Sequence, residues 1–273
     1  MLEIRKTIHE AIKIYDTGAR PILVTCDDLQ DWVCKHNEPI KLVHEIIGSK
    51  FAEFWGINTP EICLLEVSED HVPQKEANYL QLSNFKKLCF GSLFLEHCKE
   101  IDDSSILLFK DNGFKVKVKS KEDFLRIALF DIWLSNEDRN GNNSNLLIDF
   151  SNPSDYKFFV FDHGEIFNSG LLKHGIYQIN EHESIISTEL AQLLFKKGQK
   201  LTALVNNIVE NFYLCISECE KALTNILKLI PEEWGLDMET LEQNIRQNLF
   251  NESWLKECET SFRSFIQIKI QNK

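Results

Sequence analysis

At 273 residues, with 43% apolar and 11% aromatic side chains, the chain can bury a sizeable core and fits one large domain or two closely packed lobes. Acidic residues outnumber basic ones 42 to 30, and a net charge of −12 repels phosphate backbones and anionic lipid, so neither direct nucleic-acid binding nor a membrane partner is expected. Its 6 prolines and 11 glycines exclude collagen-like and linker-rich organisation. The 8 cysteines show no C-x-x-C pair and no zinc-type Cys/His spacing. The opening MLEIRKTIHEAIKIYDTG lacks the apolar stretch of an export signal, and no run approaches the roughly 18 apolar residues that cross a bilayer. A cytoplasmic location is the expectation.

Ile22–Thr25 and Asp31–Lys35 are β-leaning runs joined by a short polar link, which predicts a hairpin. The spacing Ile40, Val43, Ile47, Phe51, Phe54 predicts a helix that opens on Pro39 and stops at Gly56. A strand is expected over 62–67, a polar loop over 68–85 and a second strand over 89–95. The stretch 122–135 is a nearly all-apolar helix carrying one isolated acid, Asp131, which is expected to bond the loop after it because an unpaired buried carboxylate is costly. Beyond Gly175, period-3.6 apolar positions predict helices over 187–197, 201–230 and 238–273, with Pro231 ending the second. Cys215 and Cys219, four apart on one helical face, read as core residues. Strands followed by helices predict an α+β fold with a mostly β front and a helical back.

Between the apolar helix and the run Leu146-Leu147-Ile148 lies a loop, residues 135–145, holding five asparagines, Asp138 and Arg139. A solvated turn is one reading. A calcium loop is another, since Asn136, Asp138, Asn140 and Gly141 match its first, third, fifth and sixth positions, although Leu147 stands where the closing acid belongs. The third reading draws on the next stretch of chain, a predicted hairpin over 145–161 that ends on Asp162-His163-Gly164. Phosphoryl transfer needs an acid to orient the attacking hydroxyl, plus an amide oxygen and a second carboxylate to hold magnesium against nucleotide phosphates. Asp138, Asn143 and Asp162 supply these groups, and the five-residue step from Asp138 to Asn143 is that of the kinase D-x-x-x-x-N loop. Arg139 either neutralises the surroundings of Asp138 or a phosphorylated loop, or forms a structural ion pair.

With the helix end F-D-I-W-L (130–134) and the pattern N-x-D-R-x-x-x-N-x-N-L-L (136–147), the sequence resembles the HipA-like serine/threonine kinases. Asn140 stands where that family commonly has His, and His163 where better-known kinases have Phe. By motif the resemblance spans residues 35–164, and beyond them it rests on element order and on Ile230-Pro231-Glu232-Glu233-Trp234. It implies a two-lobed kinase-like fold with a small β-rich lobe over 1–96 and a larger helical lobe over 97–273. It further implies Mg-ATP as cofactor and a Ser or Thr hydroxyl of a protein as acceptor. Under it, Asp138 is the base and Asn143 and Asp162 are the Mg2+ ligands. Lys35 clamps the α- and β-phosphates, with Glu45 as its orienting partner and Glu38 as a weaker substitute. Glu45 lies off the apolar stripe of its helix, so a solvated face competes with that role. The glycine-rich lid motif is absent, Gly18 being the only glycine before Lys35, and the adenine base is expected near residues 96–98, with Glu96 and Cys98 at its rim. The alternative is a nucleotide-binding pseudokinase serving as a partner-binding module of the toxin–antitoxin or phage-defence kind.

Overall fold

The computed structural model describes residues 2–36, 38–73, 80 and 82–272. Its front is a six-stranded sheet built from β1 (Ile4–Lys6), β2 (Lys13–Ile14), β3 (Ile22–Thr25), β4 (Asp31–Lys35), β5 (Ile62–Glu66) and β6 (Cys89–Leu93), in the order β1-β5-β6-β4-β3-β2. The expected hairpin is β3–β4, with Ile22 opposite Cys34 and Thr25 opposite Asp31. Strands β1 and β2 were not anticipated. They are three and two residues long, without a buried alternating face, and owe their form to their neighbours. β1 runs parallel to β5, the next residues bond to the far side of β3 through Ile8 N–H to Thr25 O (3.1 Å), and β2 pairs with β3. The opening segment thus ties the two sheet edges together, leaving little free edge.

One face of this sheet packs Ile22, Val24, Trp32, Cys34, Cys63, Leu65 and Cys89 against Val72, Leu80 and Phe85 of the long connection. That connection contains 3-10 turns at Glu69–His71 and Leu82–Lys86, and the rest of the predicted polar loop, 74–79 and 81, lies outside the described residues. The other face offers Ile62, Leu64 and Phe90 to α1 (Pro39–Phe54), the helix forecast from its spacing and stopped at Gly56 with φ of 63°.

α1 also belongs to the back of the molecule. Phe51 and Trp55 set their rings 5.2 and 5.6 Å from Trp133, so one apolar core continues from the sheet into the helical part. A three-stranded sheet of β7 (Cys98–Glu100), β8 (Leu146–Asp149) and β9 (Lys157–Val160) lies at the start of that part, with Leu147 opposite Phe159. Its helices are α2 (Asp103–Ile106), α3 (Asn112–Lys115), α4 (Glu122–Leu134), the short turn α5 (Ile166–Gly170), α6 (Glu189–Leu194), α7 (Gln199–Leu227), α8 (Met238–Leu249) and α9 (Glu252–Ile266). The helix expected to run from 238 to the end is two, because the Asn251 side chain accepts the Trp254 N–H at 2.8 Å and starts α9 afresh. The Pro231–Trp234 turn reaches the front sheet. Leu88, just before β6, donates its N–H to Glu233 Oε1 (2.5 Å) and accepts from Trp234 Nε1 (2.8 Å). All eight cysteines are free thiols, and among the described residues no helix is long and apolar enough to cross a membrane.

Candidate active site

The asparagine-rich loop begins where Ser135 takes a left-handed φ of 49° and ends α4. Asp131, 1% exposed, does bond this loop: its Oδ1 accepts from Asn136 Nδ2 (3.1 Å) and from the Arg139 guanidinium. Burial pushes the Asp131 carboxyl up to about 6 against the pull of Arg139. Arg139, fully buried, also donates to Asn145 O (3.3 Å) and Phe161 O (2.7 Å), so of its two readings the structural ion pair holds, with Asp131 as partner. The calcium reading lacks its closing acid, since Leu147 at that position is an apolar residue of β8 paired with Phe159. Asn136 and Asn140 spend their side-chain oxygens on the N–H groups of Asp138 (3.2 Å) and Asn142 (2.8 Å), within the loop itself.

Asp138 Oδ2 accepts from Asn143 Nδ2 at 2.9 Å and from Asn145 Nδ2 at 2.8 Å. Asn145 was missed in the sequence. Its left-handed φ of 44° lets one residue offer its amide to Asp138 and its carbonyl to Arg139 and to the Phe161 N–H (3.3 Å). The N-x-N step from Asn143 was the available signal. This junction links the loop to the end of β9, and so to Asp162.

Asp162, also left-handed at φ 57°, meets Lys35 Nζ at 2.8 Å, and Glu45 Oε1 lies 2.5 Å from the same ammonium. Lys35 and Glu45 are buried while the Asp162 side chain is 38% exposed. Burial opposes the Lys35 charge, but the two carboxylates outweigh it and hold its pKa above the ordinary lysine value. Burial likewise resists ionisation of Asp162, yet the ammonium keeps its pKa down at about 2. Glu45 Oε2 accepts the His163 N–H at 2.9 Å. Glu38 stands at the N-terminus of α1, and the solvated-face alternative for Glu45 is overturned.

The reason lies on α1. Lys41, His44, Glu45 and Gly48 form a second stripe of this helix, and it docks on the segment after β9. Lys41 pairs with Glu165, and His44 Nδ1 meets Gly164 O at 3.0 Å. A Cβ on Gly48 would sit 2.4 Å from His163 Cβ, so only glycine permits the approach. His163 is itself 1% exposed with neither ring nitrogen partnered among the described residues, and burial, first among the causes, holds its pKa far below the usual histidine range.

Glu96 and Cys98 line a cavity of about 420 Å³ together with Leu29, Asp31, Phe94 and Phe159. The linker's Phe94 N–H is spent on Asp31 O (2.8 Å) and Cys98 N–H on Leu95 O (3.0 Å). The N–H groups of Glu96 and His97 have no partner among the described residues. At the other end of β4, the turn between β2 and β3 carries Gly18 and lies beside Lys35, since His36 Nε2 meets Arg20 O at 3.0 Å.

A small β-rich lobe carrying a buried lysine–glutamate pair, placed over a helical lobe with an acid–asparagine loop and a second acid, defines a two-lobed kinase-like α+β protein. The family model described as HipA-like kinase matches residues 8–266. The chain therefore belongs to the HipA-like kinase family. Among solved structures it is similar to the proinflammatory kinase CtkA of Helicobacter pylori at 12% identity and a TM-score of 0.57, covering 94% of this chain and 97% of that one. It also matches, at 12% identity each, a Golgi casein kinase (TM-score 0.47, covering 99% of this chain and 75% of that one) and a Shewanella oneidensis toxin–antitoxin complex of HipA, HipB and operator DNA (TM-score 0.42, covering 94% and 62%). At such identity the likeness to CtkA shows the fold alone. No curated protein matches the sequence.

Proposed function

We propose that the protein binds Mg-ATP between its lobes and transfers the γ-phosphoryl group to a hydroxyl, a Ser or Thr side chain of a protein substrate. The observation that carries this is Lys35 touching Glu45 and Asp162 at once, with Asp138 on the loop that Arg139 ties to the Phe161–Asp162 junction. Asp138 Oδ1, without a partner among the described residues, is the atom to orient the acceptor hydroxyl and take its proton. Asn143 turns its NH2 to Asp138, which leaves its oxygen for a cation, and Asp162 adds a carboxylate. Two protein donors suit magnesium, which takes one or two carboxylates and completes its shell with water and phosphate oxygens. Among the described residues no group of three His, Cys, Asp or Glu forms an all-protein cage, as this mode of binding requires none. Magnesium, when bound, neutralises charge on the phosphate oxygens. Lys35 must then release Asp162 and turn to the α- and β-phosphates, with Glu45 keeping its ammonium in line. The open N–H groups of Glu96 and His97 suit the edge of the adenine.

The test is incubation of purified protein with labelled ATP and magnesium, followed by mapping of phosphorylated sites, for wild type, Asp138→Asn and Asp162→Asn. Transfer by wild type alone supports the reading. Tight nucleotide binding by a wild type that transfers nothing would replace it with a nucleotide-binding scaffold.

A further inference from the structure

Just beyond Asp162, α5 places Phe167, Asn168 and Ser169 at φ of 62°, 49° and 58°, and Gly170 comes next at 93°. Three consecutive non-glycine residues in the left-handed region are disfavoured at every step, and such a turn persists only where its surroundings over-determine it. The surroundings here are specific. Phe167 is fully buried with its ring edge-on to His44 at 5.1 Å. Asn168, 2% exposed, has both ends of its amide bonded: Nδ2 donates to Glu137 Oε1 (2.8 Å) and Oδ1 accepts the Tyr177 N–H (3.0 Å). The Asn168 N–H donates to Ser135 O (3.0 Å), and the Ser135 hydroxyl donates to Tyr177 O (3.0 Å). The Tyr177 hydroxyl closes the set by donating to Glu137 Oε1 at 3.1 Å. One oxygen of Glu137, the residue before Asp138, therefore collects two uncharged donors from the segment just past the metal-binding acid.

We propose that Glu137 is a positioning residue for phosphoryl transfer, bracing the segment 165–177 against the catalytic loop through uncharged donors, so that this segment is ordered without a phosphate group. The inference rests on the proposed kinase function. A carboxylate in this place is the wrong sign to receive a phosphorylated side chain and the right one for an amide and a phenol. Phosphate on the Tyr177 oxygen would remove a donor and set like charges side by side.

The experiment compares wild type with Glu137→Ala, Glu137→Gln and Tyr177→Phe in the full chain, reading kcat, KM for ATP and amide hydrogen exchange over 165–177. The expected result is a kcat for Glu137→Ala lower by on the order of 10- to 100-fold, from misplacement alone, with little change in KM for ATP. Exchange over 165–177 rises with it, and Glu137→Gln, which keeps the acceptor oxygen, recovers most of both losses. Tyr177→Phe, which deletes one donor and keeps the ring, raises exchange over the same residues even if the alanine variant does not fold. Wild-type kcat and wild-type exchange in Glu137→Ala would overturn the proposal, as would a Tyr177→Phe variant with unaltered exchange. A wild type without transfer activity defeats the kinase reading instead, and the exchange comparison then still judges the brace.

Discussion

Lys35 Nζ stands 2.8 Å from Asp162 Oδ1, so a lysine at the end of β4 and the acid two residues past β9 neutralise each other. Behind them Glu45 is nearly inaccessible and has no other cation within bonding distance among the described residues. Lys35→Met should therefore leave a buried carboxylate unpaired and lower stability by about 3 kcal/mol or more in urea titration. ATP binding, followed calorimetrically, should be lost as well. Unchanged stability would mean that the pair is open to water in solution.

Gly48→Ala sets two effects against each other. Alanine is the better helix former by up to about 1 kcal/mol, but its Cβ would come within 2.4 Å of His163 Cβ. Overpacking of this kind costs about 1–3 kcal/mol, so the net change should be destabilising and should carry activity down with it. His163→Gly in the same chain, which removes that Cβ, should relieve the clash. A stabilised Gly48→Ala protein would show that the two elements stand further apart in solution.

Acid should erode the contribution that the buried histidines make to stability. His44 is 1% exposed, and burial lowers its pKa to about 4, against 6.5 unfolded. Burial also lowers His36 and His163. At His44 the unfolded chain binds more protons than the folded one between about pH 6.5 and 4, so the contribution of this residue to stability falls as pH falls through that window, while Asp131 and Glu45, whose pKa values burial raises, contribute in the opposite direction. At pH 5 His44 alone accounts for about 2 kcal/mol relative to pH 7. Urea titrations of wild type and of His44→Asn, which keeps a donor near the Nδ1 position, should differ in their pH dependence by this amount.

Trp234→Phe keeps an aromatic ring and removes the donor to Leu88 O, leaving a carbonyl beside β6 without its partner. The expected loss is about 1–2 kcal/mol, or a few degrees in Tm for a chain of this size. Because β6 leads into the linker that lines the cavity, KM for ATP should rise more than kcat falls. Equal effects on both would reduce the contact to simple packing.

The order of elements, the β3–β4 hairpin, α1, α4 and the β8–β9 hairpin were legible because each rests on local spacing and breakers such as Pro39 and Gly56. The contact between Asp138 and Asn143 was legible for the same reason, the two being neighbours in one loop. What stayed hidden depends on contacts distant in sequence. Glu45 lies on a polar stripe of α1, and nothing local distinguishes such a stripe facing solvent from one facing His163. Asn145 was overlooked because its value comes from a left-handed backbone that lets it serve Asp138 and Arg139 together. The strands of the opening segment exist only through their partners, and the second break in the C-terminal helices turns on one side-chain oxygen, that of Asn251.

Because α1 is shared by the apolar interiors of both halves, neither half is an independent folding unit. A fragment ending at the linker would uncover Val43, Ile47, Phe51 and Trp55, all of them at most 3% exposed in the whole chain. Such an excised piece should collapse or aggregate, whereas the intact protein should melt in a single cooperative step.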